Sequence, residues 1–368
     1  MTQDAWSLAR QVSVALPHSR YSIYVGSELL SSLSVGLEAA GLPPGPVAIV
    51  TDSSVAGHYE KRLREALEGR GYTVATSCVL KPGEATKSLQ TLSELFDAFA
   101  QAGLDRSAPI LALGGGVVGD VAGFAAATFK RGLPLVQIPT TLLAQVDSAV
   151  GGKVAVNHPS GKNLIGAFHQ PGLVVADVAT LRTLPAGERI AGLAEVMKYG
   201  VLCDEPFFEW IDENAEALRT GEDAATIHAV VRSCEIKAEV VADDERDLGR
   251  RAILNLGHTV GHAIENRLGY GGIRHGEAVA IGMVVAARIA ASIGAADEKV
   301  AERIREVATR LGLPTAVPKD IDPEELVVSV RQDKKILAGR LRFILPTRIG
   351  EVVIRDDIKE DQILEACR

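Results

Sequence analysis

Up to about residue 180 the chain alternates short, β-rich apolar runs with helix-periodic segments, and no other feature constrains its fold so strongly. The apolar runs fall at 46–51, 73–80, 109–113, 135–138 and 174–175, and segments such as 59–70 and 88–102 between them read as helices. Strands separated by helices need crossover connections, which build a mostly parallel sheet. After Thr183-Leu184-Pro185-Ala186-Gly187 the pattern changes. From Glu188 onward the chain reads as amphipathic helices, and strand signals return only at 341–345 and 351–354. The expected organisation is an α/β domain over 1–183 and a mainly α-helical domain over 184–368. A chain of 368 residues accommodates roughly two domains, and 47% apolar residues supply a core for each.

Charge and composition exclude several classes. A net charge of −8 argues against a general nucleic-acid binder. Cys78, Cys203, Cys234 and Cys367 are scattered, with no C-x-x-C pair, which reads as core filler in a reducing cytoplasm. No secretion pattern of charged then apolar residues stands at the N-terminus. The long apolar run 278–296 contains Arg288, is bracketed by Glu277 and Asp297, and is rich in Ala and Gly. It reads as a buried helix rather than a membrane span.

The run 108–113 ends in Gly114-Gly115-Gly116-Val117-Val118-Gly119-Asp120, and a helix pattern follows. Glycines 114, 116 and 119 satisfy G-x-G-x-x-G. Such glycines let the backbone approach a pyrophosphate, and the helix N-terminus offers it free N–H groups. The acidic residue usual about twenty positions later is missing. Asp52, ending a strand, and Glu84 in Lys81-Pro82-Gly83-Glu84-Ala85-Thr86-Lys87 are substitutes for ribose hydroxyls, or else a helix cap and a loop charge.

A second dense segment runs from Pro139-Thr140-Thr141 through Asp147 and Gly151-Gly152-Lys153 to Ser160-Gly161-Lys162-Asn163. Lysines set beside glycines, with an Asn, make either an anion pocket or a solvated loop. Further cations, Lys198, Lys237, Arg251 and the pair Lys334-Lys335, point to a small polyanionic substrate in an otherwise acidic protein. Three of the eight histidines, His258, His262 and His275, lie within 18 residues. His258 and His262 are four apart, hence on one helix face, and imidazole is the commonest ligand of a catalytic divalent metal. Position 259 is Thr, so the His-Glu-x-x-His pattern of zinc proteases is absent.

The runs Gly-Gly-Gly-Val-Val-Gly-Asp, Pro-Thr-Thr-Leu-Leu-Ala-Gln-Val-Asp-Ser, Gly-Lys-Asn-Leu-Ile-Gly, Ala-Glu-Val-Met-Lys-Tyr-Gly and Asn-Leu-Gly-His-Thr-Val-Gly-His-Ala-Ile-Glu occur in this order. Together they resemble the 3-dehydroquinate synthase family of sugar phosphate cyclases, from about Val14 to Leu364. The resemblance implies a dinucleotide-binding α/β domain with a mostly parallel sheet, a C-terminal mainly α-helical metal- and substrate-binding domain, an active site between them, and a homodimer. It implies Glu195, His258 and His275 as ligands of one divalent ion, Zn2+ or Co2+, and moves His262 from the metal to the substrate as a proton-transfer group. NAD contacts are implied for Asp52, Glu84, Lys87, Gly115, Gly116, Val117, Asp120, Thr140, Thr141, Lys153, Lys162, Thr180 and Thr183. Substrate contacts are implied for Asp147, Lys153, Asn163, Lys198, Lys237, Arg251, Asn255, Lys334 and Lys335, with Arg131 lent across the dimer interface. The implied reaction turns 3-deoxy-D-arabino-heptulosonate 7-phosphate into 3-dehydroquinate and phosphate, in the shikimate pathway to chorismate and the aromatic amino acids. It proceeds by transient oxidation, phosphate elimination, reduction, ring opening and aldol closure, so NAD is regenerated. A metal-dependent polyol dehydrogenase of the glycerol type shares this architecture, but needs no phosphate or carboxylate pocket. No nucleic acid or membrane partner is expected.

Overall fold

The computed structural model describes residues 5–269, 271–332 and 342–368. The chain forms two compact units, residues 1–184 with 226–246, and residues 185–225 with 247–368. The first unit is therefore discontinuous in sequence, a return of the chain that no local pattern announces.

In the first unit, strands β1 (Arg10–Ala15) and β2 (Arg20–Gly26) form an antiparallel pair. They are followed by β3 (Pro46–Asp52), β4 (Thr73–Leu80), β5 (Ile110–Gly114), β6 (Leu135–Pro139), the hairpin β7 (Lys153–His158) with β8 (Gly161–Phe168), and β9 (Leu173–Asp177). Seven of them form one sheet in the order β1-β2-β9-β6-β5-β3-β4, parallel throughout except for the first pair. Central strands β5, β6 and β9 are buried along their whole length, as strands covered on both faces must be. One core contains Phe99, Ile110, Val121 and Leu135; the other contains Leu63, Ile49, Leu111 and Val136. Alternate residues of β3 and β5 thus serve opposite faces.

The sheet order places a functional crevice. From β3 the chain goes outward to β4, then crosses back to β5 on the other side of β3. Ligands of open α/β sheets bind beyond the carboxyl ends of strands at such a switch point. Asp52 ends β3 and Gly114 ends β5 there. The segment 153–168, part of the stretch read from sequence as either an anion pocket or a solvated loop, is an antiparallel hairpin.

Among the described residues the second unit is helical, apart from the antiparallel pair β10 (Phe343–Arg348) and β11 (Glu351–Arg355). Its central helix, His275–Ser292, is buried on most of its surface, which is why the sequence is apolar around it. Among the described residues no helix is long and apolar enough to cross a membrane. Lys334 and Lys335 lie outside the described residues.

Candidate active site

The helices of the second unit meet at glycines. A Cβ on Gly276 would stand 1.8 Å from the carbonyl oxygen of Ala191, and one on Gly282 would stand 1.9 Å from that of Gly257. Gly257 adopts a φ of 80° as the N-cap of helix His258–Leu268, a left-handed conformation that a side chain disfavours. Backbones that approach so closely bring Glu195 of helix Ala186–Cys203, His258 and His275 together. The Nε2 atoms of His258 and His275 each lie 3.6 Å from Oε1 of Glu195. Arg274 fixes the start of the His275 helix: its N–H donates to Glu277 at 3.0 Å, and its guanidinium reaches Glu188 at 3.0 Å.

The outer nitrogens of both imidazoles are committed. Nδ1 of His258 lies 3.1 Å from the carbonyl of Leu256, and Nδ1 of His275 lies 3.3 Å from the Glu265 carboxylate. A carbonyl only accepts, so His258 carries its proton on Nδ1 and presents the Nε2 lone pair to Glu195. Ligating histidines are oriented in this way by carbonyls and carboxylates behind them. Burial holds His258 down to about 3 and therefore neutral, against the pull of Glu195. Burial acts on His275 in the same sense, but bonds to Glu195 and Glu265 outweigh it and raise it to about 10. A divalent ion at Nε2 would take the place of the proton that these two carboxylates favour. One carboxylate and two imidazoles with ligand atoms within 4.8 Å of one another form a set suited to a divalent ion.

His262 lies one turn from His258, its ring centroid 5.3 Å from that of His258 and 5.9 Å from that of His275. The structure groups it with Glu265 and His275, whereas Glu195 completes the set containing His258. The reading of His258 and His262 as a joint pair from helix spacing alone is corrected here: the carboxylate comes from a helix more than fifty residues earlier. Lys198, one turn after Glu195, forms an ion pair with its carboxylate. Arg251 is buried on the 3-10 turn Arg250–Asn255, and Asn255 beside it is exposed.

The first unit places Asp52, Gly115, Gly116, Thr140 and Thr141 at the carboxyl ends of β3, β5 and β6. Gly115 precedes helix Gly116–Thr128 with no side-chain cap, leaving the first-turn N–H groups for a ligand. A Cβ on Gly115 would meet Thr141, and one on Gly116 would meet Ser148, each at 3.0 Å; one on Gly119 would meet Gln137 at 2.8 Å. Val117 lies in the first turn of that helix. Thr140, buried after β6, keeps a hydroxyl oxygen without a hydrogen-bond partner among the described residues, as does Thr51 at the end of β3. Buried hydroxyls normally find partners, so this crevice fits a polar ligand. Asp52 accepts from the N–H of Ser54 at 2.7 Å and caps helix Ser53–Glu68. Thr183 shares a 2.6 Å hydrogen bond with Tyr59, whose hydroxyl also donates to the carbonyl of Thr180.

Lysines that composition alone would assign to the surface are buried. Exposure is 5% for Lys87, 1% for Lys198, 5% for Lys237 and 3% for Arg251, and buried cations persist only when partnered. Lys87 donates to Asp120 at 2.7 Å and to Asn163, with Glu84 at 3.5 Å. Burial raises the Asp120 carboxyl to about 6, against the attraction of Lys87. Lys237 binds the Asp147 carboxylate at 2.6 Å and its carbonyl. Asp147 itself lies on the π-turn Ala144–Ser148, a local irregularity frequent at functional sites. Lys153, Lys162 and Arg131 are exposed. Residues that sequence reasoning passed over are Glu265, behind His275, and Asn157, which bonds Glu84 and Asn163.

An open parallel sheet with a glycine cradle, together with a helical unit carrying a carboxylate–imidazole set, defines a class of cofactor- and metal-handling enzymes. Models of the 3-dehydroquinate synthase N-terminal and C-terminal regions match residues 77–191 and 192–336. A curated 3-dehydroquinate synthase of Desulforamulus reducens is 49% identical over 353 residues, covering 96% of this chain and 98% of the relative. The chain belongs to the 3-dehydroquinate synthase family. Among solved structures, 2-epi-5-epi-valiolone synthase from Streptomyces hygroscopicus, with NAD+ and Zn2+ bound, superposes with a TM-score of 0.86 at 28% identity, covering 96% of this chain and 97% of that one. A 2-deoxy-scyllo-inosose synthase complexed with carbaglucose-6-phosphate, NAD+ and Co2+ gives 0.87 at 26% identity, covering 98% and 99%.

Proposed function

We propose that this chain converts 3-deoxy-D-arabino-heptulosonate 7-phosphate to 3-dehydroquinate and phosphate, using NAD and one divalent metal ion. The observation that carries this reading is the convergence of Glu195, His258 and His275, with Nδ1 of each imidazole already engaged elsewhere. Glu195, His258 and His275 would hold the metal, and the glycine cradle with Asp52, Glu84, Lys87, Asp120, Thr140, Thr141, Lys162, Thr180 and Thr183 would hold NAD. When bound, NAD supplies a reversible hydride acceptor and the metal supplies charge stabilisation at substrate oxygens. The chain's own groups do the rest. Lys153, Asn163, Lys198 and Asn255 bind the phosphate; Lys237 and Arg251 bind the carboxylate; Asp147 contacts the substrate, and His262 holds or moves protons. Fixing both ends of the substrate supplies the orientation that a multi-step sequence needs. The Lys334–Lys335 pair is assigned to the substrate from its place in the family pattern alone.

The second copy in a homodimer would lend Arg131. Lys130 and Arg131 both adopt left-handed φ values, 49° and 68°, a cost that non-glycine residues bear chiefly at functional positions. All four cysteines are free, consistent with a reducing cytoplasm. The test is incubation of the protein with the heptulosonate phosphate, NAD and zinc. Phosphate and dehydroquinate should appear in equal amounts and exceed NAD many-fold, with no NADH accumulating. NADH rising in step with product would instead identify a polyol dehydrogenase.

A further inference from the structure

The hairpin β7–β8 is irregular near its tip. Val156 pairs with Ile165 but His158 pairs with Gly161, so Asn157 of β7 alone faces residues 162–164 of β8. Bulges re-aim residues of the longer strand, here Asn163 of β8, and Asn157 opposite it uses its backbone N–H and both ends of its amide. The N–H of Asn157 donates to the carbonyl of Lys87 at 2.8 Å. Its Nδ2 donates to Oε1 of Glu84 at 2.8 Å, and its Oδ1 accepts from the N–H of Asn163 at 2.8 Å. The amide has one admissible orientation, because a carboxylate only accepts and a backbone N–H only donates. Asn163 is held at a φ of 56°, and its own Oδ1 accepts from Lys87 Nζ, which also reaches Asp120. Glu84, Asn157, Asn163 and Lys87 thus close a ring that joins the 84–87 turn to the hairpin tip.

We infer that Asn157 is a positioning residue that couples cofactor occupancy to substrate-phosphate affinity. This rests on the functional reading above, in which Glu84 and Lys87 meet NAD while Asn163 meets the phosphate. A ligand that orders the 84–87 turn orders Asn163 through Asn157, and the reverse follows because coupling between two binding equilibria is reciprocal. Asn157 itself need touch neither ligand.

The experiment uses the full chain with zinc and a phosphonate analogue of the substrate, whose carbon–phosphorus bond cannot eliminate. Its affinity is measured by calorimetry without NAD and with NAD saturating. The wild-type ratio should lie in the range of about 5–150-fold. Asn157→Ala should bring the ratio to within about twofold of unity while leaving NAD-free analogue affinity within about threefold of wild type, since the coupling term alone is lost. Asn157→Asp should uncouple likewise by setting a carboxylate against Glu84. Adding Glu84→Gln to Asn157→Asp should restore coupling relative to Asn157→Asp alone, because the introduced glutamine amide can donate to the introduced aspartate. A merely structural role predicts no such rescue. A wild-type ratio of one, an undiminished ratio in Asn157→Ala, or failure of the paired substitution to restore it would overturn the inference. Wild-type protein that binds no NAD would instead remove the functional reading on which it stands.

Discussion

Gly276 next to His275 offers a direct way to open the candidate metal site without touching a ligand. In Gly276→Ala the new Cβ would lie 1.8 Å from the oxygen and 2.6 Å from the carbon of the Ala191 carbonyl. Ordinary carbon–oxygen contacts lie at about 3.3 Å or more, so the two backbones must part by roughly 1.5 Å. Neither neighbour is the mobile end of a side chain, so the shift must be taken up by helices. Forced overpacking of this sort costs about 1–3 kcal/mol. At about 2–4 °C per kcal/mol for a unit of this size, the melting temperature should fall by roughly 2–12 °C. The effect on the metal should be larger. Glu195 sits one turn after Ala191, and His275 directly precedes Gly276, so the separation passes to the 3.6 Å gap between them. Bonds of about 2.0–2.2 Å set ligand atoms about 3.3 Å apart around a tetrahedral zinc, close to the observed spacing. Even half the shift exceeds the roughly 0.2 Å tolerance of such sites. Zinc affinity should fall at least 100-fold, beyond the about 10–100-fold typical of losing an outer partner. Competition against a chromophoric chelator measures it. Gly57→Ala is the control, since a Cβ there meets nothing within 4 Å. Wild-type zinc affinity in Gly276→Ala would refute the argument that close helix approach assembles the site.

Other outcomes follow from the same geometry. Alanine at Glu195, His258 or His275 should abolish tight zinc binding while the first unit still unfolds cooperatively; full zinc occupancy in His275→Ala would sink the ligand assignment. Arg251→Ala should weaken the heptulosonate phosphate about tenfold to a hundredfold, as loss of a charge-assisted bond worth about 1.5–3 kcal/mol requires. A carboxylate-free analogue should lose far less, and equal losses would make Arg251 structural. The Asp120 carboxyl stands at about 6, above its ordinary 3.8, so the folded state holds this proton more firmly than the unfolded chain. Its contribution is therefore greatest below pH 3.8 and is lost as pH rises through about 6. Asp120→Asn should flatten that decline in denaturant titrations between pH 4 and 7, and an unchanged slope would contradict the burial argument.

The parallel sheet and the glycine cradle were legible because hydrophobic period and glycine spacing are local signals. The hairpin 153–168 was not, although Val154 and Val156 alternate with more exposed neighbours; flanking glycines and lysines hid a two-residue period. Lys198 and Lys237 look like solvated charges in sequence, since burial depends on Glu195 in one case and on Asp147, 90 residues away, in the other. Helix spacing showed that His258 and His262 share a face, but the Glu195 carboxylate arrives from a separate helix and no periodicity reports it. Nor does any periodicity report that Asn157 bridges Glu84 and Asn163.

The return of residues 226–246 to the first unit governs how the molecule can be made. Helix Asp223–Asp243 is anchored there by Lys237 on Asp147 and by the Cys234 thiol on the Gln145 carbonyl at 3.3 Å, and the turn after it by Glu245, which accepts from Gln170. A ribosome that has finished residue 184 has therefore not finished the unit; 246 − 184 = 62 further residues must emerge. At about 5–20 residues per second, that is a wait of roughly 3–12 s, during which the nascent sheet lacks its last helix while the first 41 residues of the second unit, 185–225, are already being extruded. Two units interleaved along one chain cannot mature one after the other, and a gene cut at residue 184 would not encode a complete first unit.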